Sequence, residues 1–428
     1  MYANGQPGET RSTEALSSVN PRGRVALQYP NFRYYMTARM LATVASEMQA
    51  VAVGWQIYSL THRALDLGLV GLAQFLPGIL LFLVAGQAAD RFPRQRILQC
   101  CYVAFAVISA LLLGLTLHGL TSVWPVYAAL VLNGVVRSFN GPSAQAFLPL
   151  VVPVEVFPSA VALGSGVFQG AMVVGPMVGG LVYGFTGSPA PVYAGSVAAC
   201  LSAMVLMGQV RVKAVQRPRG VLRPGVLLDG LRYLWHAKLT LGAISLDMFA
   251  VLLGGAVALM PVFARDILRV GAAGLGILRG APGTGAVIMA LLLAHFPLKR
   301  HAGAIMLCCV AGFGACTVVF GLSRNVALSV ASLVLLGACD MVSVIVRHTL
   351  VQISTPDEMR GRVSAVNMIF IGASNEVGQF ESGVTAAWFG TVPAVVAGGL
   401  GTILIVVLWA RLFPELRRVN ELQPAQKA

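Results

Sequence analysis

Three carboxylates lie inside long apolar runs of the sequence: Glu47, Asp247 and Glu376. A charged group inside such a run is costly, and it usually faces a cavity or a partner of opposite charge. A carboxylate shielded from water holds a proton more readily than one in solution, so it can exchange protons near neutral pH. We therefore expect these residues to be candidates for proton coupling, with Glu47 first. The alternative is a structural ion pair, such as one between Glu47 and an arginine.

Further charges in the apolar runs are candidates to line a cavity, namely Arg39, Arg137, Asp340, Arg347 and Glu381. Arg137 aligns with Asp340 at an offset of 203 residues, which suggests a pair across a central cavity. Glu376 and Glu381 are five residues apart, which is about 140° around a helix. They therefore cannot both point into one cavity, and we expect one of them to pack against a neighbouring helix.

The composition indicates that these charges lie in a membrane protein. Only 11% of the 428 residues are charged and 57% are hydrophobic, whereas about 25% of the residues of a soluble domain are charged. Apolar segments of about 20 residues recur, the length of a membrane-spanning helix, and backbone groups in lipid must pair within a helix. The predicted fold is an all-α integral membrane protein with twelve spans, at 35–59, 66–89, 97–118, 123–147, 159–183, 190–210, 240–263, 272–295, 302–322, 326–350, 363–387 and 392–413.

Lysine and arginine are distributed unequally between the two sides of these spans. Of the 30 basic residues, 22 lie in the tails and connections on the side of the termini, and four lie in the opposite loops. This bias follows the positive-inside rule and predicts that both termini are cytoplasmic. The net charge of +14 is therefore a topology signal and a lipid-headgroup contact, and it does not indicate nucleic-acid binding.

A basic linker divides the predicted chain into two halves. We expect a disordered tail (1–30), a six-helix bundle (31–210), the linker (211–239), a second six-helix bundle (240–413) and a tail (414–428). In the linker, Leu227, Leu231, Leu234 and Trp235 fall near one face at helical spacing, which predicts a helix on the membrane surface. SEMQAVAVGW (46–55) matches LDMFAVLLGG (246–255) at an offset of 200, which indicates that the bundles are related by an internal repeat.

Two stretches, GQAADRFPRQR (86–96) and QGAMVVGPMVGG (169–180), combine glycines with charged or proline residues, and both resemble motifs of the major facilitator superfamily of transporters. GQAADRFPRQR, between spans 2 and 3, resembles the loop that latches the two halves in this family, with Gly86, Asp90, Arg91, Arg94 and Arg96. Pro93 replaces the usual glycine, and a plain basic loop is the alternative. QGAMVVGPMVGG in span 5 matches the family's antiporter motif at Gly170, Gly175, Pro176, Gly179 and Gly180. Glycines four apart let helices approach closely and a proline bends a helix; an ordinary packing seam is the alternative.

Longer stretches, such as RHTLVQISTPDEMRGRVSAVNMIF, resemble the bacterial branch of this superfamily that includes enterobactin exporters and related multidrug efflux proteins. The resemblance implies twelve helices in two pseudo-symmetric six-helix bundles and proton-driven export by alternating access. We expect a secondary active transporter that exports a small molecule, such as a siderophore or a drug, in exchange for protons. The alternatives are an importer of a small nutrient on the same fold and a non-transporting membrane sensor or scaffold.

The sequence does not indicate an enzyme, because no nucleophile is paired with a base and no metal ligands cluster within the spans. The seven cysteines lie in or beside apolar runs, as small hydrophobic residues do. We expect no cofactor and no metal. The expected partners are a small-molecule substrate, protons and the lipid bilayer, and the expected location is the inner membrane of a bacterium, where the chain acts as a monomer.

Overall fold

The structure is a computed structural model that describes residues 25–212, 225–296, 298 and 300–420. Within these residues the chain is helical, and the helices of four or more turns follow the predicted spans closely. The helices are α1 (Pro30–Thr61), α2 (Ala64–Arg91), α3 (Arg94–Leu117), α4 (Trp124–Phe147), α5 (Phe157–Thr186), α6 (Ala190–Gly208), α7 (Gly225–His236), α8 (Lys238–Leu253), α9 (Ala256–Val262), α10 (Gly271–His295), α11 (Ala302–Leu322), α12 (Val326–Ser354), α13 (Asp357–Phe389), α14 (Thr391–Leu412) and α15 (Pro414–Arg418).

The seventh predicted span is not one continuous helix. It consists of α8 and α9, separated at Gly254 and Gly255, and it ends in a π-helical turn at Phe263–Ile267. The break lies where the backbone comes very close to another helix, since a Cβ at Gly255 would lie 2.7 Å from the carbonyl oxygen of Gly378 in α13. Close approach of a neighbouring backbone therefore accompanies the break in this span.

Nine helical segments of the described chain are long and apolar enough to cross a membrane by their length and hydropathy. The helices α1, α4 and α13 do not reach that threshold. These three helices carry Glu47, Arg137 and Glu376, respectively. Their lower hydropathy is consistent with helices whose polar faces meet inside the bundle rather than in lipid.

The helices form two halves, α1–α6 and α8–α14, that meet along two seams. In one seam the second helix of the first half (α2) packs on the fifth spanning helix of the second half (α13); in the other, the fifth helix of the first half (α5) packs on the second of the second half (α10). This exchange of positions is what a pseudo-twofold axis between the halves produces.

Glycine makes both seams close. A Cβ at Gly383 would lie 2.6 Å from the Gly68 Cα, and one at Gly180 would lie 2.6 Å from the Gly276 Cα. The bundle end where α1 begins and α14 ends is called the terminal end below, and the opposite end is called the distal end. Both glycine pairs lie in the distal half of the bundle, so the two halves are closely packed there.

The linker forms the predicted helix, α7, but its apolar residues do not share one environment. Leu234 is fully buried against the second half, whereas 72% of Trp235 is exposed. The Arg362 guanidinium lies 3.1 Å from the Asp229 carboxylate, and the Tyr233 hydroxyl donates to the carbonyl oxygen of Ser354. The expectation of a single lipid-facing stripe is therefore wrong for Leu234. The side chain of Leu227 lies outside the described part of the chain.

Candidate functional site

A cluster of charged and amide side chains joins the halves near the middle of the bundle. The Arg137 guanidinium donates to Gln74 Oε1 at 2.9 Å and lies 3.3 Å from Glu376 Oε1 in the other half. The second oxygen of Glu376 accepts from Gln379 Nε2 at 3.3 Å. The exposed fraction of the side chain is 50% for Arg137 and 15% for Glu376. Glu376 is therefore a paired carboxylate whose guanidinium partner faces open space.

Two glycines bring these side chains within reach of each other. A Cβ at Gly134 would lie 2.4 Å from the Gln74 carbonyl oxygen, so α4 lies directly against α2. A Cβ at Gly71 would lie 2.9 Å from the Gln379 Cβ, so α2 lies directly against α13. Because the helices are this close at both contacts, the Arg137 side chain reaches past α2 to Glu376.

Glu47 of α1 lies near this cluster. It interacts electrostatically with Arg279 of α10 and with Arg137 and Glu376. Within the described residues, Glu47 makes no hydrogen bond and no ion pair within 4 Å, and the Nε of Arg279 is buried without a hydrogen-bond partner. The predicted alternative of a direct ion pair is thus not formed here: Glu47 and Arg279 attract each other across the seam without touching.

The glycine motif of α5 packs against this carboxylate. A Cβ at Gly175 would lie 2.5 Å from the Glu47 Cβ, and one at Gly179 would lie 2.7 Å from the Met48 Cα. Gly180 faces the other way, against Gly276 of α10, whereas a Cβ at Gly170 would meet no atom within 4 Å. Three of the four motif glycines therefore serve close packing, on two different neighbours, and Pro176 is buried between them.

The remaining predicted carboxylates lie elsewhere. Asp247 of α8 forms an ion pair with Arg347 of α12, entirely within the second half, and only 3% of the Arg347 side chain is exposed. Asp340 lines a small cavity beside Asp247, Ser343 and Phe313. The suggested pair of Arg137 with Asp340 is wrong, because Arg137 reaches Gln74 and Glu376 instead. The reason is that the seam between α2 and α13 brings Glu376 to Arg137, which an alignment of the halves does not predict.

Glu381 and Arg39 lie away from the centre of the cluster. Glu381 accepts a hydrogen bond from Thr385 Oγ1 at 2.8 Å, within its own helix, which agrees with the expectation that it does not share a cavity with Glu376. The Arg39 guanidinium carbon lies 5.3 Å from the centroid of the Phe168 ring in α5.

Comparison with known proteins defines the family. The family model described as "Transmembrane secretion effector", of the major facilitator superfamily, matches residues 24–427. The chain belongs to this family. It is a multi-pass membrane transporter of a small molecule and not an enzyme.

This transporter is similar in sequence to a curated relative and similar in fold to two solved structures. It is 28% identical over 408 residues to an enterobactin exporter of Shigella boydii serotype 4, covering 92% of this chain and 95% of the relative. The fold is that of a solved D-xylose–proton symporter (TM-score 0.67, 13% identity, covering 90% of this chain and 99% of that one). It is also that of a solved bacterial homologue of the human lysosomal transporter Spinster (TM-score 0.69, 15% identity, covering 91% and 98%).

The transporter's candidate latch loop is held by its own half. The Arg94 guanidinium donates to the carbonyl oxygen of Ala146 at 2.9 Å, and Gln95 Nε2 donates to carbonyl oxygens at the end of α6. Arg91 and Arg96 are exposed, and Gly86 lies within α2. The side chain of Asp90 lies outside the described part of the chain. These contacts fix the position of the first turn of α3, directly after the loop. The latch role implied by the resemblance stays a prediction.

The sequence alone did not single out several residues of the transporter that join the halves. Arg279 is a basic residue inside a predicted span, as Arg137 and Arg347 are, and nothing in its sequence neighbourhood distinguishes it from them. At the distal end, the Tyr58 hydroxyl donates to the Asp266 carboxylate of the other half. Trp55 packs edge-on to Tyr183 nearby, with ring centroids 6.4 Å apart. Tyrosines are frequent near span ends, so no sequence signal marks Tyr58 as a contact.

Proposed function

We propose that this transporter exports a small organic molecule in exchange for protons, by alternating access, with both termini in the cytoplasm. One observation supports proton coupling above all. Glu47 is an ionisable group inside a span, without a direct partner among the described residues, and it packs against α5, the helix that forms a seam with α10 of the other half. A group of this kind can change its charge during the cycle and alter the contact between the halves.

The contacts of the three candidate carboxylates favour Glu47 as the proton carrier. Both oxygens of Glu376 already accept from Arg137 and Gln379, and Asp247 is paired with Arg347. Removing the charge from one member of a buried pair such as Asp247 and Arg347 is strongly destabilising, at about 3–5 kcal/mol, and protonating Glu376 would weaken its contact with Arg137. Protonation of Glu47 breaks no ion pair, so it is the least costly of the three.

Protonation would act through Arg279. Two unit charges 4 Å apart attract by about 4 kcal/mol at an effective dielectric constant of 20. Glu47 and Arg279 are farther apart than that contact, so their attraction across the halves is smaller. An attraction of only about 1.4 kcal/mol still changes the balance between two conformations tenfold. Loss of the Glu47 charge would therefore loosen the seam between α5 and α10 and favour separation of the halves at the distal end.

Direction and substrate class are proposed from the resemblance. The glycine motif is that of exporters in the family, and the relatives quoted above include an enterobactin exporter. We therefore propose outward transport of a siderophore or a drug. In this orientation the distal end faces the outside of the cell, and the structure has its outer end closed by Tyr58 and Asp266. A nutrient importer is the alternative on the same fold.

The test uses proton movement in energised inside-out membrane vesicles, with siderophores, macrolides and lipophilic cations added in turn. An exporter that exchanges protons releases them from the vesicle lumen when its substrate is added. We expect this release from the wild-type protein, its loss in Glu47→Gln, and its retention in Glu381→Gln. The second variant is the matched control, because Glu381 is a span carboxylate bonded within its own helix.

Two results would contradict the proposal. Proton release that persists unchanged in Glu47→Gln would move the coupling role to Glu376. Uptake of a compound into whole cells, with no proton release from vesicles for any of the compounds, would favour the importer.

A further inference from the structure

Arg39 and Phe168 form a second polar and aromatic feature between α1 and α5, on the terminal side of Glu47. The Arg39 guanidinium carbon lies 5.3 Å from the Phe168 ring centroid. Arg39 precedes Glu47 by eight residues, which is about 12 Å along a helix. The same pair of helices is in contact on both sides of this feature, since a Cβ at Gly164 would lie 3.4 Å from the Met36 Cε and Gly175 meets Glu47.

The charge of Arg39 is not neutralised by the protein. Among the described residues, no carboxylate lies within 4 Å of its guanidinium. The guanidinium stacks on a phenyl ring, which is attractive, and it also interacts with the Tyr35 hydroxyl one turn earlier. Neither contact neutralises the positive charge. An arginine inside a span normally has a counter-charge or faces a water-filled cavity. Tyr35, one turn earlier on the same face, is fully buried and donates to the carbonyl oxygen of Ala144 in α4, whereas Arg39 itself is only half-buried.

Phe168 also remains accessible. Its exposed fraction is 38% although the ring is in contact with Arg39. A guanidinium binds a carboxylate through two parallel hydrogen bonds and stacks on aromatic faces at the same time. An exposed phenyl ring accepts a second aromatic ring in an offset or edge-on arrangement. The pair therefore offers one partner for a negative group and one for a flat ring.

We propose that Arg39 and Phe168 form a subsite for a planar aromatic acid, that is, for a part of the cargo in which a carboxylate or phenolate is attached to an aromatic ring. The inference rests on the proposed transport function. It names the chemical class of cargo that the transporter would recognise in the terminal half of the bundle. The subsite is separate from the proton-carrying residue, so cargo recognition and proton binding are assigned to different turns of α1.

Binding to the purified full-length protein in lipid nanodiscs tests the proposal, with three matched probes. These are naphthoate, its neutral amide naphthamide, and decahydronaphthoate, which keeps the acid but loses the aromatic ring. For the wild-type protein we expect naphthoate to bind at least about tenfold more tightly than each of the other two, a difference of about 1.4 kcal/mol. Arg39→Gln should abolish the preference for naphthoate over the amide, and Phe168→Leu the preference over the saturated acid.

Arg63→Gln is the matched control, because Arg63 is an exposed arginine in the connection between α1 and α2 at the distal end, and it should keep both preferences. Retention of the charge preference in Arg39→Gln, or equal binding of the three probes to the wild-type protein, would overturn the proposal. Proton release from vesicles separates this outcome from failure of the proposed function: Arg39→Gln tests recognition, and Glu47→Gln tests coupling, in two independent measurements.

Discussion

The substitution Gly175→Ala tests the packing between α1 and α5 directly. The added Cβ would lie 2.5 Å from the Glu47 Cβ and 3.1 Å from the Val44 carbonyl oxygen. Carbon atoms in contact are about 3.5–4.0 Å apart, so the two helices would have to separate by about 1 Å. Overpacking of this kind costs typically about 1–3 kcal/mol.

We expect this cost to appear as a loss of transport, because separating α1 from α5 displaces Glu47 itself. If the whole cost falls on one conformation of the cycle, the population of that conformation changes by about 5- to 150-fold. The matched control is Gly170→Ala in the same motif, where the new Cβ meets no atom within 4 Å. Replacing a glycine inside a helix by alanine is otherwise favourable by about 0.5–1 kcal/mol, so Gly170→Ala should be neutral or slightly stabilising.

The measurement is the rate of substrate-dependent proton release from vesicles that contain equal amounts of each variant, together with the thermal stability of the purified proteins. Wild-type rates for Gly175→Ala would refute the packing argument. Equal impairment of Gly170→Ala would also refute it. The motif would then act through flexibility of α5 at all of its glycines rather than through close packing of α5 on α1 and α10.

Three other substitutions have defined expectations. Gly180→Ala places a Cβ 2.6 Å from the backbone of the other half, so it should separate the halves and increase labelling, by an impermeant reagent, of a cysteine introduced at the distal end. Tyr58→Phe removes the hydrogen bond to Asp266 and should change the same labelling in the same direction, by less than Gly180→Ala because Asp266 is exposed. Asp247→Asn leaves the buried Arg347 without its counter-charge; a loss of about 3–5 kcal/mol should lower the melting temperature, and adding Arg347→Gln should recover part of it.

The membrane spans could be predicted from the sequence because lipid imposes one local solution on every apolar segment. Nearly every helix therefore begins and ends within a few residues of its prediction. The division of the seventh span could not be predicted in the same way. Gly254 and Gly255 break it where α13 lies against the backbone, and this contact between distant segments leaves no mark on hydropathy.

The site could be predicted as a set of residues but not as a set of pairs. Hydropathy identifies the carboxylates and arginines that lie inside spans. Which of them meet depends on the rotation of each helix and on the seams between halves. Arg137 pairs with Glu376 because glycines thin the contacts of α2 on both sides, and Arg279 comes near Glu47 because α10 packs on α5. Both relations cross the interface between the halves.

The location of each ion pair decides whether it can take part in coupling. Asp247 and Arg347 belong to one half, and a pair within a half that moves as a body keeps its geometry when the halves rock against each other. The relations between Glu47 and Arg279, and between Arg137 and Glu376, join different halves, so the proposed alternating access would change them. Gly175 and Gly180 lie five residues apart on α5, about 140° around the helix, and they face α1 and α10 respectively. Helix α5 thus contacts α1 at Glu47, the proposed proton carrier, on one side, and the other half on the opposite side. This is the position from which a change of charge at Glu47 would reach the interface.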